Sequence, residues 1–309
     1  MEREPVAVLA VPDATAPFDR AALGRATERS NVAIASKFGQ LADILAAQSA
    51  DPYRIAAYRR AADVLLTMPG DVSAIFERGG RQALDRLPGI GISIAGAIAE
   101  MLTTGRWGFL EHLKGSAEPE ALFRAVPGIG PVLARRICDA LHLGTMEALE
   151  VAAYDGRLDR VSGIGRRRLA MVRSALAPML GCVDRLPIAD KREPNVELLL
   201  DVDNEYRRRA AAGQLIKIAP KRFNPTGEAW LPVLHTVRDG WHFTALYSNT
   251  ARAHELGRTH DWVIVFFHRH GGPEGQRTVV TETHGEQRGT RVVRGREAEL
   301  YYRDRPHQE

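Results

Sequence analysis

Cysteine is nearly missing from this sequence: there are two in 309 residues, Cys138 and Cys182. Two cysteines build neither a disulfide scaffold nor a cysteine zinc site, and a reduced compartment is the simplest reading. Lysine is scarce as well, at only five of the 42 basic residues. Long apolar runs are absent. The longest, such as "WVIVFF" at 262–267, are far too short to span a bilayer. The opening "MEREPVAVLAVPDATAPFDR" has acids and prolines where a signal peptide needs a basic start and an apolar run. A cytoplasmic protein with no membrane partner is expected. What is present is ordinary for a packed protein: 45% hydrophobic and 26% charged residues. The net charge of +4 permits a polyanion partner without demanding one.

Residues 1–30 carry little periodic signal and read as a flexible leader. From Asn31 the pattern turns helical, with Ile34, Phe38, Leu41 and Leu45 on one stripe. Asp51 followed by Pro52 signals a helix start. Asp71 opens another helix, which "RGG" at 78–80 is expected to close. After "LPIADKREP" (186–194), read as a linker, the texture changes. "VLHTVRDGWHFTALY" predicts a hairpin turning on Asp239-Gly240, and "DWVIVFF", "QRTVVTET" and "TRVVRGR" read as further strands. "NVELLLDVDNEYRRRAAAG" and "SNTARAHELG" read as capped helices stopped by Gly.

One pattern occurs three times: "LPGIGISIAGAI" (87–98), "VPGIGPVLARRI" (126–137) and "VSGIGRRRLAMV" (161–172). Aligned without gaps, each has an apolar residue, then Pro or Ser, then Gly-Ile-Gly. Apolar residues follow at fixed places on one helical face: Ala95 and Ile98, Ala134 and Ile137, Leu169 and Val172. Glycine permits positive φ and close approach. The helix that follows presents unpaired N–H groups at its N-terminus, which is an anion site that suits phosphate. A tight corner without a ligand is the plainer reading of one copy; three copies in a fixed frame favour the DNA backbone. A dinucleotide loop is excluded, since no strand precedes these glycines.

These are helix-hairpin-helix motifs, and their order resembles the N-terminal region of family X DNA polymerases. "DPYRIAAYRRAADVLLTMPG" with "LPGIGISIAGAIAEMLTTG" resembles that family's lyase-type domain. "LFRAVPGIGPVLARRICDALHLGTMEALEVAAYDGRL" resembles its second DNA-gripping motif, and the third copy is similar to an extra hairpin in bacterial members. The resemblance covers about residues 31–180. It implies DNA contacts at the hairpins and a monovalent cation on main-chain carbonyls, at Leu87, Gly89, Ile90 and Gly91 and at Val126, Gly128, Ile129 and Gly130, with Leu87, Ile90, Val126 and Ile129 as the cation positions. Two departures limit it. The family's lyase lysines fall at Ala97 and Ser93, and no lysine lies between Lys37 and Lys114. A guanidinium stays protonated and cannot replace an amine nucleophile, so lyase activity by that route is not expected. The polymerase palm needs a Gly-Ser turn before paired aspartates. Asp201 and Asp203 have none and lie in a helical pattern.

The expected architecture is therefore an all-α helix-hairpin-helix N-terminal half followed by an α+β C-terminal domain. Its divisions are a leader (1–30), a lyase-type helical domain with the first hairpin (31–114), the second and third hairpins (115–184), and an α+β domain of unknown role (185–309). The candidate DNA-binding residues are Gly89, Ile90, Gly91, Gly128, Ile129, Gly130, Gly163, Ile164 and Gly165, with Arg54, Arg59, Arg166 and Arg167. Arg166, Arg167 and Arg168 open a helix, where cations oppose the dipole unless a polyanion is near; Arg54, Arg59 and Arg60 could equally be a solvated face, and Tyr58 a core residue. Eight of the ten histidines follow residue 230. His235 and His242 share one face of the predicted hairpin as diagonal neighbours and could co-ligate a metal, or be polar rim residues. Asp261, Glu282 and His284 faintly suggest a nuclease core, against a plainer reading as capped strand ends. The expected function is sequence-independent DNA binding in repair, on gapped, nicked or end structures, with the phosphate backbone as partner. The competing expectation is a metal-dependent nuclease or other DNA-processing enzyme with catalysis in residues 185–309.

Overall fold

Helices begin where the sequence supplies caps. The Asp51 carboxylate accepts the Tyr53 amide at 3.0 Å, with Pro52 at the first helical position. Asp71, Thr145 and Asn195 accept amide N–H groups in the same way at the heads of later helices. The computed structural model describes residues 20–180, 193–270 and 272–301. Within them the helical half comprises α1 (Arg20–Ala47), α2 (Pro52–Thr67), α3 (Val72–Asp85), α4 (Ile92–Thr104), α5 (Gly108–Leu113), α6 (Pro119–Phe123), α7 (Pro131–Leu141), α8 (Met146–Tyr154) and α9 (Arg166–Leu180). The second half comprises α10 (Val196–Ala211), β1 (Ile216–Ile218), β2 (Leu231–Arg238), β3 (Trp241–Tyr247), α11 (Ala251–Glu255), β4 (Val263–Arg269), β5 (Gly275–Thr281), β6 (Arg291–Val293) and α12 (Glu297–Tyr301). The fold is thus all-α, then α+β.

One boundary differs from expectation. Helix α1 already runs from Arg20, inside the stretch expected to be a leader; residues 1–19 lie outside the described residues, as do Cys182 and most of the expected linker. "RGG" interrupts α3 as expected: Gly79 and Gly80 leave helical geometry, with Gly80 at φ +58, and a second short helical stretch follows to Asp85 with Leu84 buried.

The strands form one antiparallel meander in the order β1-β2-β3-β4-β5-β6. Asp239 and Gly240 turn β2 into β3 with φ of +51 and +74, the mirror-image turn whose twist suits a hairpin. One face of the sheet carries α10: the Tyr206 hydroxyl donates to the Pro232 carbonyl at 3.0 Å and accepts the Tyr247 amide at 2.8 Å. The opposite face lies on the helical half. Phe266 meets Phe109 of α5 edge to face at 4.9 Å, and His235 Nε2 lies 2.8 Å from Gln48 Oε1. A sheet covered on both sides needs apolar residues on both, which is why "VIVFF" in β4 is unbroken and wholly buried.

Buried side chains group differently from the expected chain divisions. A single hydrophobic cluster joins α1, α2, α4 and α5 with α10 and the sheet, from Ile34 to Val293. A second cluster, from Leu122 to Leu180, belongs to α6–α9 alone. The boundary expected at 184/185 therefore separates secondary-structure types but not cores. The α6–α9 unit meets the rest mainly through polar contacts: Gly144 donates to Gln276 Oε1 at 2.8 Å, and Arg252 pairs with Asp139 at 2.7 Å.

Candidate nucleic-acid interface

The three Gly-Ile-Gly segments fold into the same turn. The first glycine takes positive φ in each: Gly89 at +78, Gly128 at +89 and Gly163 at +96. The isoleucine is a buried anchor, and its amide closes the turn on the apolar residue three places earlier: Ile90 on Leu87, Ile129 on Val126 and Ile164 on Val161, each at 3.0 Å. The Leu87 and Val126 oxygens keep a second lone pair, which is what a main-chain cation site would use. The second glycine starts the helix, and its carbonyl accepts from Ala95, Ala134 or Leu169 at 2.8–2.9 Å.

What the turn leaves open matters most. Gly91 and Gly130 head their helices with no side-chain cap, so the first-turn amides have no internal acceptor. A Cβ built on Gly91, Gly130 or Gly165 meets nothing within 4 Å. Side-chain-free backbone faces open space at all three places, with uncapped helix N–H groups behind Gly91 and Gly130, which is the geometry a phosphate oxygen requires.

The second and third hairpins face each other reciprocally. A Cβ on Gly128 would stand 2.4 Å from Met171 Cε, and one on Gly163 2.9 Å from Arg136 Nη1. Arg136 and Met171 occupy the same position in the aligned motifs. The first hairpin packs otherwise: Gly89 lies against Arg60 and Val64 of α2. Helix α4 also packs beside α9, so the first hairpin adjoins the third.

These turns match known families. Residues 29–107 match the model described as a helix-hairpin-helix domain. Residues 119–177 match one described as a SAM-like helix-hairpin-helix tandem, in keeping with the reciprocal contacts of the second and third copies. The N-terminal half carries two helix-hairpin-helix domains. That assignment indicates DNA binding without sequence preference. A search of curated proteins finds no match.

The arginines divide. Arg166 and Arg167 are exposed beside Gly165 and have no ion pair among the described residues, so their charge remains free for a polyanion. Arg59 is exposed, with Asp43 3.6 Å away. Arg54 does not belong to this surface. Its side chain is largely buried, lies 4.6 Å from the Phe109 ring centroid and pairs with Glu274, the residue just before β5. Tyr58, beside it, is a core residue. The sequence placed Arg54 on an exposed helix face because it held no sign that a sheet would cover α2. Replacing Arg54 with Met leaves the largely buried Glu274 unpaired, at a cost of up to about 3–5 kcal/mol; thermal melting should show this loss while DNA affinity stays unchanged. Arg60 lies under Gly89, and one arginine beside the turns escaped the sequence reading: Arg136, which donates to the Ser162 carbonyl at 3.3 Å.

Ala97 and Ser93, where the resemblance would put lyase lysines, line a small cavity closed by Phe266, Glu274 and Gly275 of the sheet. Its wall includes Glu100, fully buried, whose Oε1 accepts the Gly108 amide at 2.7 Å. Burial pushes the Glu100 carboxyl up to about 8. The folded state thus holds a proton that the unfolded chain releases near its ordinary value of 4.5. This contribution to stability is complete at acid pH and fades as pH rises through about 8. Glu100→Gln keeps an acceptor for Gly108 without the charge. It should raise the melting temperature relative to wild type above that pH and lose the advantage in acid.

The acids and histidines of the second half are held by protein partners. His235 and His242 are diagonal neighbours on one face, since His235 opposes Thr244 and His242 opposes Val237. His235 contacts Thr244 and Gln48, while His242 stacks on His268 at 5.0 Å and lies 3.3 Å from Asp51. Among the described residues, no group of three or more His, Cys, Asp or Glu is placed to hold a metal ion, so the metal expectation for this pair gains no third ligand. Asp261 accepts from Arg291 and Thr281, and Glu282 pairs with Arg294. Asp201 and Asp203 lie on α10 and pair with Arg238 and Arg291 respectively, away from any palm-like strand. Among the described residues, no helix is long and apolar enough to cross a membrane.

Proposed function

We propose that this protein binds the DNA phosphate backbone at gaps, nicks or ends, in DNA repair, using all three hairpins. The carrying observation is the set of three equivalent turns whose second glycines, Gly91, Gly130 and Gly165, face open space ahead of a helix N-terminus. Three separate anchor points suit a substrate whose two flanking duplexes can bend apart, as a gap or nick allows and an intact duplex resists. The resemblance of the hairpin order to family X DNA polymerases supports the same substrate class. Contacts made by main-chain amides read no base, so binding should not depend on sequence and should weaken steeply with salt. Fluorescence anisotropy on gapped, nicked and intact duplexes of two unrelated sequences, at two salt concentrations, tests this. Tighter binding to gapped or nicked DNA, equal between sequences, is the expected result. Absence of binding at low salt would overturn the proposal, and equal affinity for intact DNA would remove its structural preference.

A further inference from the structure

A cleft of about 440 Å³ opens where α5, the tandem of hairpins and the sheet meet. That volume lies in the range of small-molecule sites. Its walls combine three features that the hairpins do not explain.

The first is a buried nitrogen without a partner. His112 lines the cleft from α5 and is 3% exposed. Its Nδ1 lies 2.8 Å from the Gly108 carbonyl oxygen, which can only accept, so Nδ1 carries the proton. Burial lowers the ring's pKa to about 4, which keeps it neutral. Nε2 is therefore a bare acceptor, and it has no hydrogen-bond partner. Beside it stands Gly144, also a wall residue, where a Cβ would come within 2.6 Å of Nε2. Only a glycine fits against that edge of the ring.

The second feature is a free cation. Of the arginines lining the cleft, Arg135 pairs with Glu255, Arg252 with Asp139, and Arg222 with Glu118. Arg124 is exposed and has no ion pair among the described residues. The third is an aromatic wall at Trp262, set edge to face against His142 at 4.2 Å.

An anion site, an acceptor for an N–H or O–H donor and an aromatic wall together match a nucleoside monophosphate. We propose that this cleft holds a single nucleotide, its phosphate at Arg124 and a base amine or sugar hydroxyl directed at His112 Nε2. Pro131, the first residue of the second hairpin's helix, forms part of the wall. The nucleotide thus has two sources: free in solution, or the terminal or unpaired nucleotide of DNA held by that hairpin. The choice of a nucleotide over other phosphorylated molecules rests on the DNA-binding reading.

The test uses the full chain and two variants at the cleft rim, Arg124→Ala and Ala251→Trp; both positions are exposed, and the tryptophan fills the opening. Calorimetric titration with deoxyadenosine monophosphate probes the free source, with deoxyribose phosphate and inorganic phosphate as comparisons. Gapped DNA carrying a fluorescent base analogue at the gap margin probes the DNA source, since its emission rises several-fold when the base leaves the stack. One of the two arms should respond in the wild type, weaken about tenfold in Arg124→Ala and vanish in Ala251→Trp. Anisotropy of the same gapped DNA should change less than about twofold in both variants, because the hairpins supply the affinity. No response in either arm with DNA binding intact overturns the cleft proposal and leaves the hairpin reading standing. A response to inorganic phosphate or deoxyribose phosphate equal to the nucleotide's overturns the nucleotide assignment. Loss of all DNA binding in the wild type counts against the hairpin reading instead, and the free-nucleotide titration then decides the cleft.

Discussion

Phe266→Ala will remove about 3–5 kcal/mol of folding stability, the usual cost of emptying a fully buried phenylalanine site. The effect will not be confined to the sheet. Phe266 is 1% exposed and packs on Phe109 and His112 of α5 across the seam between the two halves. Since α1, α2, α4 and α5 share one buried cluster with α10 and the strands, they should unfold with the sheet in one transition. The α6–α9 unit has its own core and need not follow. Urea unfolding followed by tryptophan fluorescence and by far-ultraviolet circular dichroism checks this. Three of the four tryptophans, Trp107, Trp230 and Trp241, belong to or pack against the shared core. Loss of the sheet with α1–α5 still folded in the variant would contradict the shared core.

Gly128→Val will weaken DNA binding by about tenfold or more, equivalent to about 1.4 kcal/mol, and will also destabilise the tandem. At φ +89 a β-branched residue is strained, at about 1–3 kcal/mol. The new side chain also meets the tip of Met171, which can swing aside at lower cost than backbone could move. Relief of the strain requires the turn to change shape, and with it the direction of the amides that follow Gly130. Anisotropy with gapped DNA and a thermal melt measure the two losses. Full DNA affinity in a folded variant would mean that the turn is a structural corner only.

The helical half was legible because its signals are local. Asp51-Pro52, Asp71 and the three glycine turns each act within a few residues, and the structure places a cap or a turn at every one. The Asp239-Gly240 hairpin was legible for the same reason. What the sequence hid was long-range. The unbroken apolar run of β4 announces a strand covered on both faces but cannot name the cover, so the sequence alone leaves α2 uncovered and Arg54 on the surface. The change of texture at 184/185 is a change of secondary structure, which local pattern reports; shared burial across it is tertiary, which local pattern does not. Strand β1, three residues long, is too short to show alternation. In the candidate interface, the glycines could be found by repetition, whereas the places of Arg60 under Gly89 and of Arg136 under Gly163 needed the packing of one helix on another's turn.

The central claim, that open main-chain amides at the three turns hold the phosphate backbone, is tested most directly by one triple variant: Gly91→Asp, Gly130→Asp and Gly165→Asp. Each glycine precedes a helix and has open space where a side chain would go. Gly91 and Gly130 have the extended backbone in which aspartate caps a helix well. The carboxylates should therefore leave the melting temperature unchanged or raise it. They also occupy the amides a phosphate would use and repel it, so affinity for gapped DNA at low salt should fall by about a hundredfold or more. Anisotropy titration of wild type and variant side by side measures the difference. A folded variant that still binds within about twofold of wild type would show that the hairpin amides do not carry the interaction.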